Sequence, residues 1–156
     1  MKEHHYQIGL EWTGNKGNGT KDYKSYSRNH SITVSGKYDE ILGSSDPSFR
    51  GDRDRYNPEE LFLSSLSSCH MLWFLHLCAT NGINVRSYKD SATGVMEEAT
   101  NGSGRFRSVT LYPSVIIDQS DKIDKALSLH EEASKMCFIA NSCNFKINHT
   151  PKVTSE

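Results

Sequence analysis

The sequence predicts an α+β fold, on three observations. Stretches of alternating polar and apolar residues recur along the chain, only two segments carry the helical period, and the strands come in runs instead of alternating singly with helices. The predicted order is β-β-β-α-β-β-α-β, which is not the order of a doubly wound parallel sheet.

The elements follow from local chemistry. "YQIGLEWTG" alternates before a Gly/Asn-rich turn and "HSITVSG" alternates after it, predicting strand, turn and strand. Residues 39 to 56, "DEILGSSDPSFRGDRDRY", carry neither period and are rich in Gly, Ser, Pro and charge, so they read as a long loop. "NPEE" is a helix start: Asn57 can cap, Pro58 suits the first turn, and Glu59 and Glu60 sit where the dipole favours negative charge. Glu60 stands where it can close a capping box with Asn57. This helix should run to about Asn81, where "NG" gives a stop. "NVRSYKDSATGVMEEA" and "RFRSVTLYPSVIID", joined at "TNGSG", read as one long two-stranded hairpin. A second helix, from about Asp121 to Phe138, places Ile123, Leu127, His130, Ser134 and Cys137 on one stripe. "SCNFKINH" closes the chain as a strand.

At 156 residues the expectation is a single domain, 1–156, large enough to bury a core without disulfides or metal. Lys+Arg 18 against Asp+Glu 19 gives a formal net charge of -1, with no basic stripe for phosphates or anionic lipids. Nucleic acid and membrane are therefore not expected partners. "MKEHHYQIGLEW" lacks the apolar run of a leader, and the apolar stretch after Cys69 is short and interrupted for a bilayer span, so the expected location is cytoplasmic. In a reducing compartment the four cysteines would not form structural disulfides, and the four Asn-X-Ser/Thr sequons carry no meaning. Cys69, His70, His76 and Cys78 lack finger or ribbon spacing, so no metal and no other cofactor is expected.

From Met71 to Ala79 the residues are apolar around the whole helix circumference. Such a helix is either the core helix of a monomer or one covered on its far side by a second subunit. One small sheet covers one side of a helix, so the second arrangement, a homodimer with this helix near its centre, is the expectation.

Cys69 sits at the changeover from serines to this apolar run. Phe62, Leu66 and Trp73 lie near its stripe, and composition alone favours an inert core thiol there. A reactive Cys69 needs a cation, because apolar burial raises a thiol pKa. Cys137 ends the second helix on its apolar stripe. Cys78, deep in the apolar run, and Cys143, at a strand entry, have no charge nearby in sequence and read as structural.

"YNPEELFLSSLSSCHMLWFLHLC" and, after the hairpin, "ALSLHEEASKMCFIANSCNFKI" resemble the two-cysteine signature of the OsmC/Ohr family, the osmotically inducible protein C and organic hydroperoxide resistance proteins. The resemblance implies an OsmC-like fold, with antiparallel sheets wrapped around long central helices in an intertwined homodimer. It further implies a cysteine-based peroxidase acting on small organic hydroperoxides. Carried over, Cys69 attacks the peroxide, Cys137 resolves the sulfenic acid as a disulfide, and a dithiol such as a lipoylated protein restores the enzyme. Glu59 would pair with an arginine that activates Cys69. The alternative is a non-catalytic dimer of the same fold that binds a small apolar ligand or senses oxidants.

The chemistry accepts these roles. A thiolate cleaves the O–O bond, and a thiol of pKa ~8.5 needs positive charge nearby to ionise at neutral pH. Phe62, Leu66, Trp73 and Phe138 are candidate walls of a pocket favouring alkyl peroxides. Ten residues of helix rise ~15 Å, so Glu59 cannot touch Cys69 of its own helix and would act across a dimer interface, or else serve only the helix dipole. For the arginine, Arg50 between Phe49 and Gly51 is preferred over Arg53 and Arg55, which alternate with Asp52 and Asp54; Arg28 is next. His70 replaces the aromatic residue often found after the first cysteine in the family. With His130 it is left outside the core site.

Overall fold

In the computed structural model, which describes residues 1–156, strands and helices mix as an α+β architecture. The chain divides into two units, residues 1–61 and 62–156.

The first unit holds β1 (Gly9–Trp12), β2 (His30–Thr33) and β3 (Ile41–Gly43), an antiparallel sheet in that order. Its register sets Leu10 opposite Ile32 and Ile32 opposite Ile41, while Leu10, Ile41 and Leu42 remain exposed. The segment 39–56 is more than a loop. It contributes β3 and a 3-10 turn, Pro47–Phe49, whose cap Asp46 accepts from the Ser48 N–H at 2.7 Å. A three-residue strand is too short to show a period of two, so composition hid it.

The helix α1 (Pro58–Thr80) starts as its sequence dictates. The Asn57 side chain accepts from the Glu60 N–H at 2.8 Å, and Glu60 Oε2 accepts from the Asn57 N–H at 3.1 Å, the reciprocal capping box. It stops as dictated too: Gly82 takes φ +64, and the N–H groups of Ile83 and Gly82 donate back to the carbonyls of Cys78 and Ala79. That is a Schellman end, for which the left-handed position needs glycine.

In the second unit the long hairpin is broken into two. The strands are β4 (Val85–Lys89), β5 (Thr93–Glu98), β6 (Gly104–Leu111) and β7 (Ser114–Ile117). After α2 (Ile123–Met136) and α3 (Phe138–Asn141) come β8 (Ile147–His149) and β9 (Lys152–Ser155). They build two sheets, β4-β7-β9 and β5-β6-β8, in which β8 and β9 run parallel to β6 and β7. Four strands therefore stand between the long helices where two were expected, and two close the chain where one was expected. The breaks have two causes. Pro113 and Pro151 interrupt two strands, and at the third break Asp90 accepts from the Tyr112 N–H at 2.7 Å and from the Ser67 hydroxyl of α1.

Helix α1 is ringed with apolar residues, yet its burial follows one stripe: Leu66, His70, Phe74 and Cys78. Leu66 joins Val109, Leu111 and Ile147 in one core cluster, while Phe74 and Cys78 join Ile83, Val115, Ile117, Ala126, Leu129 and Ala133 in another. By length and composition α1 is also long and apolar enough to cross a bilayer, longer than the apolar run read from the sequence; its inner stripe is that of a core helix. The buried stripe of α2 is Ala126, Leu129, His130 and Ala133, continued by Cys137; of the predicted stripe His130 and Cys137 are buried, while Ile123, Leu127 and Ser134 are half-buried at its edge. Small alanines face the core and let the helix approach closely, which a reading that weights large side chains misses.

Candidate active site

The face of α1 opposite its buried stripe is where the chemistry collects. Ser65, Ser68, Cys69, Leu72, Trp73 and His76, spaced three and one along the helix, line a groove of about 540 Å³ with Phe138 and Ile139 of α3. The wall is largely apolar. Trp73 meets Phe138 edge to face at a ring separation of 5.8 Å. Leu72 and Phe138 are each 62% exposed, an open apolar surface.

Cys69 is half-buried in this groove, and Cys137 lies buried beside it. Cys137 leaves the helical conformation at the end of α2, with φ -68 and ψ 109, and its sulfur caps α3 by accepting from the Ala140 N–H at 3.4 Å. Burial first, and then a hydrogen bond between its side chain and that of Cys69, push the Cys137 thiol up to about 11. Cys137 therefore keeps its proton at neutral pH. Cys69 and Cys137 are not joined by a disulfide in this structure. The other two are placed as structural residues: Cys78 sits in the core, where burial pushes its thiol up to about 11, and the Cys143 thiol, raised by burial, donates to the Ile139 carbonyl at 3.3 Å.

Of the predicted pocket residues, Trp73 and Phe138 line the groove and two do not. Leu66 points into the core, 1% exposed, and Phe62 packs on Phe106 and Phe145 at ring separations of 4.9 and 6.3 Å. At 100° per residue, Leu66 stands some 300° from Cys69 on paper, close enough to share a broad stripe, but the boundary between buried and open faces of α1 runs between them. The groove residues missed by sequence are Ser65, Ser68, Leu72, His76 and Ile139. Since every face of α1 is apolar, only the serines at 65 and 68 marked this one.

Glu59 is half-buried in the first turn of α1. Ten residues of unbroken helix separate it from Cys69, ~15 Å of rise, so it does not reach that thiol along its own helix. In the first unit, Arg50 is exposed in the left-handed conformation, φ 66, at the end of the 3-10 turn. Arg28 lies over the rings of Tyr23 and Tyr26 at 4.3 and 4.2 Å and donates to both of their carbonyls. Both arginines line one small hollow with Lys16 and Lys24. Arg55 is engaged with Asp52 at 3.8 Å, and Arg53 is exposed.

His70 and His130, set aside in the sequence, form a buried pair between the two core clusters. His70 Nε2 and His130 Nδ1 are 3.0 Å apart, and His149 stacks on His70 at 4.5 Å. Burial is the main cause that lowers His70 to about 3 and His130 to about 4, so both rings are neutral at physiological pH. No cluster of three or more His, Cys, Asp or Glu is arranged to hold a metal ion.

Comparison with known proteins bears on the same region. The family model described as OsmC-like protein matches residues 51–152. An OsmC-like protein of unknown function from Vibrio cholerae superposes with a TM-score of 0.86 at 29% identity, over 96% of this chain and 100% of that one. An organic hydroperoxide resistance protein from Elizabethkingia anophelis gives 0.68 at 21% identity over 99% and 100%. Another, from Legionella pneumophila, gives 0.67 at 14% over 97% and 99%. Both share the fold. Among curated proteins no sequence matches.

Proposed function

Since the chain belongs to the OsmC-like protein family, we propose that it is a thiol-dependent peroxidase reducing organic hydroperoxides through Cys69. The observation that carries this reading is the closeness of two thiols, Cys69 on an apolar groove and the buried Cys137, which Cys69 helps to hold protonated. The Cys69 thiolate attacks one peroxide oxygen, an S–O bond forms as the O–O bond breaks, and the other oxygen leaves with a proton as an alcohol. The Cys69 sulfenic acid then condenses with the Cys137 thiol, giving a disulfide and water. Two electrons from a dithiol, such as a lipoylated protein, restore both thiols.

Each residue has a chemical reason for its role. The proton on Cys137 gives a donor to Cys69 before attack and is surrendered when Cys137 itself attacks the sulfenic sulfur. Leu72, Trp73, Phe138 and Ile139 offer an alkyl chain a surface that hydrogen peroxide cannot use. Arg50 supplies the permanent positive charge that ionises Cys69, with Glu59 orienting it across the interface of a homodimer. The open apolar face at Leu72 and Phe138, and the exposed Leu10, Ile41 and Leu42, support that dimer as surfaces a second subunit would cover. A single domain in the cytoplasm, where a dithiol pool is available, completes the reading.

Rapid mixing of the reduced protein with an alkyl hydroperoxide is the test. Fast loss of two thiols per chain with a Cys69–Cys137 bridge supports turnover. Slow, unselective oxidation, or a bridge involving Cys78 or Cys143, rejects it in favour of an OsmC-like dimer that binds an apolar ligand or senses oxidants.

A further inference from the structure

The hollow in the first unit, of about 170 Å³, gathers Lys16, Lys24, Arg28 and Arg50, four cations too dispersed along the chain to read as a basic stripe. Backbone pairing brings them together. The N–H groups of Thr13 and Ser27 donate to the carbonyls of Asn29 and Gly14 at 2.9 Å, and the Trp12 indole donates to the Ser27 carbonyl at 2.8 Å. The segment carrying Lys16 and Lys24 is thereby folded back beside Arg28. Arg50 arrives on a turn whose closure leaves no room for a side chain at Gly51, where a Cβ would stand 1.5 Å from the Ser45 carbonyl oxygen.

The Asn29–Asp52 edge of the hollow is fixed. Buried Ser44 donates to Asn29 Oδ1 at 3.0 Å and accepts from the Asp52 N–H at 3.1 Å, while Asn29 Nδ2 donates to Asp52 Oδ2 at 3.3 Å. Asp52 is the one carboxylate on the lining, and it is also engaged by Arg55 at 3.8 Å and by the Asp54 N–H at 3.1 Å. No carboxylate stands within ion-pair distance of Lys16, Lys24 or Arg50. Arg28 donates to the Tyr26 and Tyr23 carbonyls and lies over both rings, so its charge is held in place without being neutralised. Like charges held together repel, and an anion among them relieves that repulsion.

We propose that this hollow binds a phosphate dianion, either free phosphate or the phosphoryl group of a small phosphomonoester. Four cations against one engaged carboxylate leave an excess that a monoanion would not balance, and ammonium and guanidinium donors suit the several acceptor oxygens of a phosphoryl group. The volume is that of about five or six waters at ~30 Å³ each, room for one phosphoryl group with anything esterified to it lying outside.

The experiment is amide NMR of the reduced, nitrogen-15-labelled protein, titrated with inorganic phosphate and separately with phenyl phosphate. Sodium chloride at matched ionic strength and sodium acetate are the controls. Either phosphate should shift the Lys16, Ser27 and Gly51 amides saturably at about pH 7.5, with a Kd on the order of millimolar, and binding should weaken at about pH 5.5, where the dianion takes up a proton. Tighter binding of phenyl phosphate assigns the hollow to a monoester, and tighter binding of inorganic phosphate to the free ion. Lys16→Ala/Lys24→Ala, changes at exposed positions, should weaken binding by about tenfold or more, whereas Lys21→Ala, outside the hollow, should leave it unchanged. No saturation, an equal shift with chloride or acetate, no loss of affinity at the lower pH, unchanged affinity in the double variant or an equal loss in Lys21→Ala would each overturn the proposal. Arg50 is left intact and no peroxide is present, so this site and the peroxidase reading fail separately.

Discussion

Cys137 closes α2, caps α3 through its sulfur, and lies close enough to Cys69 for that thiol to help keep it protonated, so one buried cysteine bears on three helices. Its backbone is extended at that residue, which ends α2 and leaves the sulfur to accept from the Ala140 N–H of α3. A change at Cys137 should therefore separate the first oxidation step from the second.

In Cys137→Ser, the first attack on an alkyl hydroperoxide should persist while disulfide formation disappears. Cys69 should then accumulate as sulfinic acid under repeated peroxide, which intact-protein mass measurement reads as two added oxygens per chain. A Cys137→Ser protein in which Cys69 still forms an intrachain disulfide, with Cys78 or Cys143, would remove Cys137 from the resolving role.

Arg50→Ala should slow the oxidation of Cys69 by about a hundredfold, the scale on which a positioned charge affects a reacting group. Arg28 is held by two tyrosine rings and two carbonyls, so it is the less mobile of the pair lining the hollow. An unchanged rate in Arg50→Ala together with a loss in Arg28→Ala would move the activating role to Arg28.

The histidine pair should make stability fall on the acid side of neutrality. Both groups ionise near 6.5 in an unfolded chain and at about 3 and 4 when folded, so below pH 6.5 the unfolded chain takes up protons that the folded one refuses. Each histidine then removes up to about 1.4 kcal/mol per pH unit between pH 6.5 and its folded value, and nothing above pH 6.5. Urea midpoints measured at pH 7.5, 6 and 5 should decline, with the decline reduced in His70→Leu/His130→Leu. An equal decline in that variant would place the acid sensitivity elsewhere.

Leu72→Glu tests the open face of α1. If a second subunit covers this apolar surface, the wild-type protein should run as a dimer by mass-resolved chromatography at micromolar concentration, and a buried unpaired carboxylate should dissociate it. A wild-type monomer would sink the dimer.

Much of this could be read from the sequence because it is local. The start and stop of α1 are written in Asn57, Glu60 and Gly82, whose side chains or backbone freedom satisfy the helix ends whatever else the chain does. The residues alone specified the pairing of Cys69 with Cys137 only weakly; it came from the resemblance of the two motif blocks to the OsmC/Ohr family. The break between β4 and β5 was not legible, since it depends on Asp90 reaching both Ser67 and Tyr112 across the fold, whereas Pro113 and Pro151 mark the other two in the sequence.

By itself the sequence determined the fold class, the capped helix and the family to which its two cysteine motifs belong, because periodicity, caps and motif spacing act over a few residues. Tertiary structure decided which face of α1 is inside. An all-apolar helix has no preferred face of its own, so packing against the sheets assigned Leu66, His70, Phe74 and Cys78 to the core and left Cys69 on the groove beside Leu72 and Trp73. The same packing drew His130 and His70 into contact, two residues that sequence spacing gave no reason to join.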